Sequence, residues 1–312
     1  MAPMIQKPFL KWVGGKTQIL DRILEQVPKE LNNYHEPFLG GGSVLLGILS
    51  KQRNNEIQIT GKVYAYDSNK ALIDVYTCLQ SNPDELYVEL SRYIDEYESV
   101  TGTIVNRKAT TIEEAKTSKE SYYYWIRNKF NGMVDKGSIT YSALFIFLNR
   151  TCFRGMHREG PNGFNVPFGN YKTYARMAKT DWDKISILIR DVEFVHSDFR
   201  NSLLNADVGD YVYLDPPYAP ENSTSFVGYN TDGFNLHTHK ELFKEIHDLH
   251  ARGVLFTMSN AKVDLVTNAF KEFVCKDIVA RRAINSKKPG STTKEVIISN
   301  IRPLAVTYNI DT

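Results

Sequence analysis

The residues with the most chemistry in them form one tetrad, Asp215–Pro216–Pro217–Tyr218. Two consecutive prolines remove two N–H donors and hold the chain extended. The carboxylate of Asp215 and the carbonyl of Pro216 can then face one pocket as acceptors, with no donor beside them. That arrangement complements a substrate NH2 group. Accepting its two N–H bonds localises on nitrogen the lone pair that an aromatic ring otherwise withdraws, and the nitrogen can then attack an electrophilic methyl carbon. Tyr218 adds a face on which a flat base can stack. A Pro-Pro pair alone reads as a turn closing a strand. Asp before it, Tyr after it and an apolar strand at 210–214 favour catalysis.

A second constellation lies near the N-terminus. Glu36-Pro-Phe-Leu-Gly-Gly-Gly-Ser43 is a glycine loop, and Asp67 ends the strand expected at 62–66. Glycines at a strand-to-helix turn let backbone N–H groups approach a ligand, and an acid at the end of the next strand can hold both hydroxyls of a ribose. The loop does not match GxGxxG, and no GK[ST] follows it. A ribose-bearing cofactor without a pyrophosphate fits better.

These residues need a scaffold that brings strand ends together. Helical spacing from 44 to 49 and from 69 to 79, around the strand at 62–66, gives strand–loop–helix–strand–acid, half of a doubly wound sheet. From about 84 to 190 the pattern breaks into a Tyr- and Lys/Arg-rich, mainly helical stretch with a long glycine-punctuated loop at 154–171. Strand and helix patterns then return: strands at 192–196, 210–214, 253–258 and 295–300, helices at 237–251 and 263–270. A helix is also expected to reach about residue 27 from the Lys-Trp-Val-Gly-Gly-Lys block at 11–16, and the polar run 285–293 reads as a loop. The expected fold class is α/β, a doubly wound Rossmann-like sheet of residues 1–83 and 191–312 with 84–190 inserted as a mainly helical domain.

Composition narrows the function. Over 312 residues the formal charge is only +2, yet 101–190 holds 15 Lys/Arg against 7 Asp/Glu while the remainder holds 23 against 29. A basic middle third suits a polyanion, although a lysine-rich solvated face reads the same way. No apolar run is long enough to cross a bilayer, and the N-terminus lacks the pattern of a secretory leader. Cys78, Cys152 and Cys275 are far apart, without CxxC or histidines at ligand spacing. Neither a disulfide framework nor a metal site is expected, and the chain reads as an intracellular protein.

Four blocks in order resemble the DNA adenine-N6 methyltransferases of the Dam and DpnM type. They are Phe9-Leu-Lys-Trp-Val-Gly-Gly-Lys16, Glu36 to Ser43, the segment running from Phe147-Leu-Asn-Arg150 through Phe164-Asn-Val-Pro-Phe-Gly169 to Tyr171-Lys172, and Asp215 to Tyr218. The resemblance implies S-adenosyl-L-methionine as cofactor, held by Trp12, Lys16, Glu36, Phe38, Gly40, Asp67 and Asp215, with Asp198 and Phe199 where the family packs the cofactor's adenine. It implies double-stranded DNA as partner and the insert as the target-recognition domain. Arg150, Phe153, Arg154, Arg158, Tyr171 and Lys172 are then the expected DNA contacts. Arg158 matches the position that forks onto a guanine edge, and Phe153 matches an intercalating aromatic. GATC is the expected target. Arg154 stands where the family often has Asn, and Glu159 follows Arg158. A cognate restriction endonuclease is an expected functional partner, and the chain is expected to be monomeric, in the cytoplasm or on the nucleoid.

Other readings are an amino-methyltransferase acting on RNA adenine or a protein glutamine, and a DNA-binding module without catalysis. The first class usually shows NPPY or NPPF and lacks the N-terminal block. Intact Asp215 and Asp67 argue against the second. A nicotinamide-dependent oxidoreductase requires a pyrophosphate loop that the chain does not have.

Overall fold

The structure, a computed structural model, describes residues 5–220, 234–281 and 292–301. Its central sheet has seven strands: β1 (Tyr34–Glu36), β2 (Val63–Asp67), β3 (Val192–His196), β4 (Tyr211–Leu214), β5 (Leu255–Ala261), β6 (Val274–Arg281) and β7 (Thr292–Ser299). Their spatial order is β3-β2-β1-β4-β5-β7-β6. Neighbours from β3 to β5 pair in parallel, and β7 runs antiparallel to both β5 and β6. The strand order reverses between β1 and β4. The loops leaving those two strands therefore border one crevice at the carboxyl edge of the sheet, where open α/β folds take ligands.

Local sequence explains the elements around that crevice. β4 is apolar at every position and buried on both faces, as a central parallel strand must be. Its side chains still alternate: Tyr211 and Tyr213 join one hydrophobic cluster, Val212 and Leu214 the other. α1 (Ser43–Arg53) springs from the glycine loop, and α2 (Lys70–Ser81) is capped by Asn69, whose side chain accepts from Leu72 N.

Residues 84–190 are mainly helical. α3 (Pro83–Glu98) starts with Pro at its first turn followed by Asp84 and Glu85, and it buries Leu86, Leu90, Tyr93, Ile94 and Tyr97 along one face. α4 (Lys119–Gly132) and α5 (Ile139–Thr151) are capped by Ser118 and Ser138, and α6 (Lys179–Leu188) closes the stretch. These helices pack on α2 and on one another, and their apolar side chains merge into the same cluster as Tyr34, Ala65 and Tyr211. On the other side of the sheet, α7 (Phe199–Leu204) and α8 (Leu236–Ala251) cover Val212, Leu214 and Phe256.

Several expectations need correction. The helix expected to reach residue 27 is a single 3-10 turn, Lys16–Gln18, followed by one short helix, Leu20–Leu24. Ile19, at φ −118° and ψ 10°, breaks the helical path between the two. The loop expected at 154–171 contains a 3-10 turn, Phe153–Gly155, and a small hairpin pairing Glu159–Gly160 with Gly163–Phe164. β6 was not expected, because its Val-Cys-Lys-Asp start lacks a clean alternation. Of the polar run 285–293, residues 285–291 lie outside the described residues and Thr292 and Thr293 open β7. Among the described residues no helix is long and apolar enough to cross a membrane.

Candidate active site and nucleic-acid interface

The tetrad begins where β4 ends. It is not sealed in the core: Asp215 keeps 21% of its side chain exposed, Tyr218 is half-buried and Pro217 is exposed, while Pro216 is buried. Asn260 on β5 fixes the exit of the turn by accepting from Ala219 N at 3.0 Å. Behind Asp215 a hydroxyl chain runs into the sheet. Ser259 Oγ donates to Asp215 Oδ1 at 3.1 Å and lies 2.9 Å from Tyr213 Oη.

Lys16 is the unexpected neighbour. Only 5% of it is exposed, and its Nζ lies 2.6 Å from Asp215 Oδ2, donates to Gly14 O, and sits 4.9 Å from the centre of the Tyr218 ring. The carboxylate expected to be a free acceptor is therefore engaged by an ammonium. An incoming amine can claim Oδ2 only as Lys16 swings aside or shares it. Burial pushes the Asp215 carboxyl above its ordinary pKa, and the Lys16 charge pulls it part of the way back.

Around the corner, Glu36 ends β1 wholly buried and accepts from Tyr34 Oη at 2.6 Å. Burial raises its pKa to about 8, against the pull of the Tyr34 hydrogen bond. Asp67, at the end of β2, accepts from Gly40 N at 3.0 Å and from Asn69 N at 2.9 Å, which ties the glycine loop to the second strand. Gly40 has φ +49° and Gly41 lies under Trp12; a Cβ on either would come within 2.9 Å of the Trp12 side chain. The glycines thus let Trp12 lie flat across the loop. Phe38 and Phe199 stack at 5.9 Å, and Asp198 stands at the start of α7, where it caps Arg200 N and pairs with the Arg200 guanidinium.

The crevice is therefore bordered by Phe38, which packs on the buried Phe199, by an acid beside a glycine loop, and by a carboxylate at the end of the neighbouring strand. These residues fit a nucleoside cofactor that carries no pyrophosphate. Trp12, Lys16, Glu36, Phe38, Gly40, Asp67, Phe199 and Asp215 all come from the ends of β1 to β4 or from the N-terminal block pressed onto them.

The basic residues of the insert fall into two groups. Arg150 was expected to be a DNA donor, but its guanidinium donates inside the fold, to Phe9 O at 3.2 Å and Ala175 O at 2.6 Å. It braces the N-terminal block against the insert. Arg158, Arg154, Phe153 and Lys172 lie on the outside. Arg158 is exposed and oriented by Asn165, whose Oδ1 accepts from its Nε at 2.6 Å. Arg154 adopts φ +57° and lays its guanidinium over Phe153, which is 42% exposed. Lys172 is exposed, and the Tyr171 ring carries the ammonium of Lys11 at 4.1 Å.

Several residues of the site were not singled out from the sequence. Ser259 and Glu295 reach the tetrad from β5 and β7, and Glu295 accepts from Tyr218 Oη at 3.0 Å. Asn149 clamps the N-terminal block, accepting from Lys11 N at 2.9 Å and donating to Lys11 O at 2.6 Å. His157 stacks on Trp12 at 6.0 Å beside the Asn69 side chain. Each depends on contacts between distant segments, and spacing along the chain carries no trace of them.

Residues 12–284 match the family described as D12 class N6 adenine-specific DNA methyltransferase. The chain is 37% identical over 305 residues to the type II methyltransferase M.MjaIII of Methanocaldococcus jannaschii, covering 94% of this chain and 99% of the relative. It is 30% identical over 292 residues to the DNA adenine methylase of Escherichia coli strain K12, covering 93% and 92%. The precorrin-6y C5,15-methyltransferase structure of Geobacter metallireducens GS-15 overlaps 94% of this chain and 98% of its own at 9% identity and a TM-score of 0.37. The chain belongs to the D12 class of N6 adenine-specific DNA methyltransferases.

Proposed function

We propose that this enzyme transfers a methyl group from S-adenosyl-L-methionine to N6 of an adenine flipped out of duplex DNA, within GATC, as a member of the Dam and DpnM type. The observation that carries this reading is the place of Asp215: a partly open carboxylate at the strand-order reversal, one loop away from Gly40 and Asp67. When bound, the cofactor supplies an electrophilic methyl group on a sulfonium. The chain's own residues do the rest. Asp67 takes the ribose hydroxyls, Phe38 and Phe199 with Asp198 at their rim take the adenine, and Trp12, Gly40 and Glu36 wall the crevice. Asp215 and the Pro216 carbonyl accept the two N–H bonds of the target amine, which concentrates its lone pair, while Pro217 keeps the turn rigid and Tyr218 stacks on the base.

Residues 84–190 serve as the recognition domain of this reading and 1–83 with 191–312 as the catalytic domain, although the two share one hydrophobic cluster. Arg158 reads a guanine edge, Phe153 enters the base stack, and Arg154, Tyr171 and Lys172 contact the backbone, with Arg150 bracing them from behind. The enzyme acts inside the cell as a monomer, with a restriction endonuclease of the same specificity as its functional counterpart. The test is to incubate the protein with S-adenosyl-L-methionine and unmethylated duplex DNA, then map N6-methyladenine by position. Methylation confined to GATC is expected. A different motif would overturn the target alone, and methylation of another base, or of RNA in preference to duplex DNA, would overturn the reading.

A further inference from the structure

Tyr218 is held by more than the proline turn that precedes it. Its phenol donates to Glu295 Oε2 at 3.0 Å, a contact between the loop after β4 and a strand two places across the sheet. β7 sets this contact. Glu295 pairs in register with Ala261, next to Asn260, and Asn260 already holds the turn by accepting from Ala219 N. Glu295 is half-buried in a stretch where the following residues Val296 to Ser299 are all buried. A carboxylate in that place loses hydration, and the hydrogen bond it accepts is the compensation. Burial indeed holds its pKa above the ordinary value, and Lys16 and the Tyr218 hydrogen bond lower it part of the way back.

We propose that Glu295 is a positioning residue for methyl transfer: by accepting from the Tyr218 phenol it fixes the plane of the ring against which the target base stacks. The inference rests on the reading of Tyr218 as the stacking face. A tyrosine ring in an open crevice turns about its side-chain bonds and moves the base with it. Tethered at its hydroxyl on one side and backed by the Lys16 ammonium on a face, it has one orientation. Small errors in the approach of nitrogen to carbon lower the rate steeply, whereas ground-state binding of DNA, spread over many phosphates, hardly changes.

The experiment is a double-variant cycle on the full chain, read by single-turnover methyl transfer to duplex DNA and by the emission of 2-aminopurine placed at the target position. Tyr218→Phe keeps the ring and loses only the donor, and Glu295→Ala loses only the acceptor. Each is expected to slow transfer about tenfold, the scale of one hydrogen bond to a charged group, with DNA and cofactor affinities within about twofold. The double variant is expected to lose no more than either single, both variants are expected to change 2-aminopurine emission alike, and Glu295→Gln, which retains an acceptor oxygen, is expected to restore most of the rate. Independent, multiplying losses, or a Tyr218→Phe enzyme at full speed, would overturn the inference alone. A wild-type protein that transfers no methyl group to adenine would overturn it together with the reading beneath it.

Discussion

Asp210 and Asp215 stand at the two ends of β4, and they have opposite fates. Asp210, at the amino end, is fully buried. Its Oδ1 accepts from Asn33 N at 2.9 Å and from the Asn33 and Asn32 side-chain amides at 3.0 and 3.1 Å, while its Oδ2 accepts from Asp207 N at 3.0 Å and meets His35 Nε2 at 3.1 Å. Burial alone would raise its pKa, but the hydrogen bonds from Asp207, Asn33 and His35 outweigh it and hold the carboxyl below the ordinary value. Asp215 has only Lys16 and Ser259, remains partly exposed, and is held above its ordinary value. One carboxylate is saturated with fixed donors and works as a structural staple. The other faces a crevice with one ammonium, that of Lys16, and one hydroxyl on it. A buried acid whose lone pairs are all engaged has nothing left for a substrate, and one that keeps an exchangeable partner does.

The sharpest way to break the comparison is to exchange fates. Asp215→Ala is expected to lower single-turnover methyl transfer by about 10²–10³-fold, the scale of losing one preorganised polar group, while the protein still folds, with some stability lost because Lys16 loses its partner, and binds DNA within about tenfold. If DNA binding and folding vanish as well, Asp215 is a staple too. Asp210→Ala is expected to do the reverse. Removing one partner from a buried, hydrogen-bonded set costs about 3–5 kcal/mol in denaturant melts, with the rate per folded molecule retained.

The recognition face permits a subtler division. Arg158→Ala is expected to cost about 1–3 kcal/mol of discrimination at one base pair and to leave nonspecific affinity nearly unchanged. Lys172→Ala is expected to weaken every sequence alike and to reduce the salt dependence of binding by about one unit of slope. Binding titrations over a panel of single-base variants, at two salt concentrations, separate the two.

Glu36 gives an effect that shows itself only as pH changes, and it refines the contrast between the buried and the open carboxyls. Its carboxyl sits at about 8 in the fold against an ordinary 4.5. The folded chain therefore retains a proton that the unfolded chain has released over that window. The stabilisation from this group is complete below the unfolded value, falls as pH rises by about 1.4 kcal/mol per unit, and is gone above the folded value. Melts from pH 5 to 8 are expected to show this slope in the wild type and to lose it in Glu36→Gln; equal slopes in both would mean that Glu36 is ionised in the fold.

The strand ends were legible because chemistry there is carried by short contiguous runs. Asp215 to Tyr218 and Glu36 to Ser43 each lie within one turn of chain, and apolar strands such as Tyr211–Leu214 announce themselves. The last strands were hard to read: β6 has an irregular polar start, and β7 was expected only from residue 295. Glu295, Ser259 and His157, and the clamp that Asn149 makes on Lys11, were invisible for a different reason. Each acts on a segment far away in sequence, so the sheet order, rather than any spacing, decides what it touches. Arg150, read from the sequence as a DNA contact, also donates to Phe9 O and Ala175 O, partners that its place in a basic stretch does not reveal.

The distance from the target adenine N6 to the Asp215 carboxylate, in a crystal of the protein with duplex DNA and a nonreactive cofactor analogue, tests the assignment of β4's carboxyl end most directly. The expected structure has N6 about 3 Å from both Asp215 Oδ2 and the Pro216 carbonyl, with Lys16 turned away from that oxygen. A flipped base whose amine lies elsewhere, with Lys16 still clasping Asp215, would contradict it.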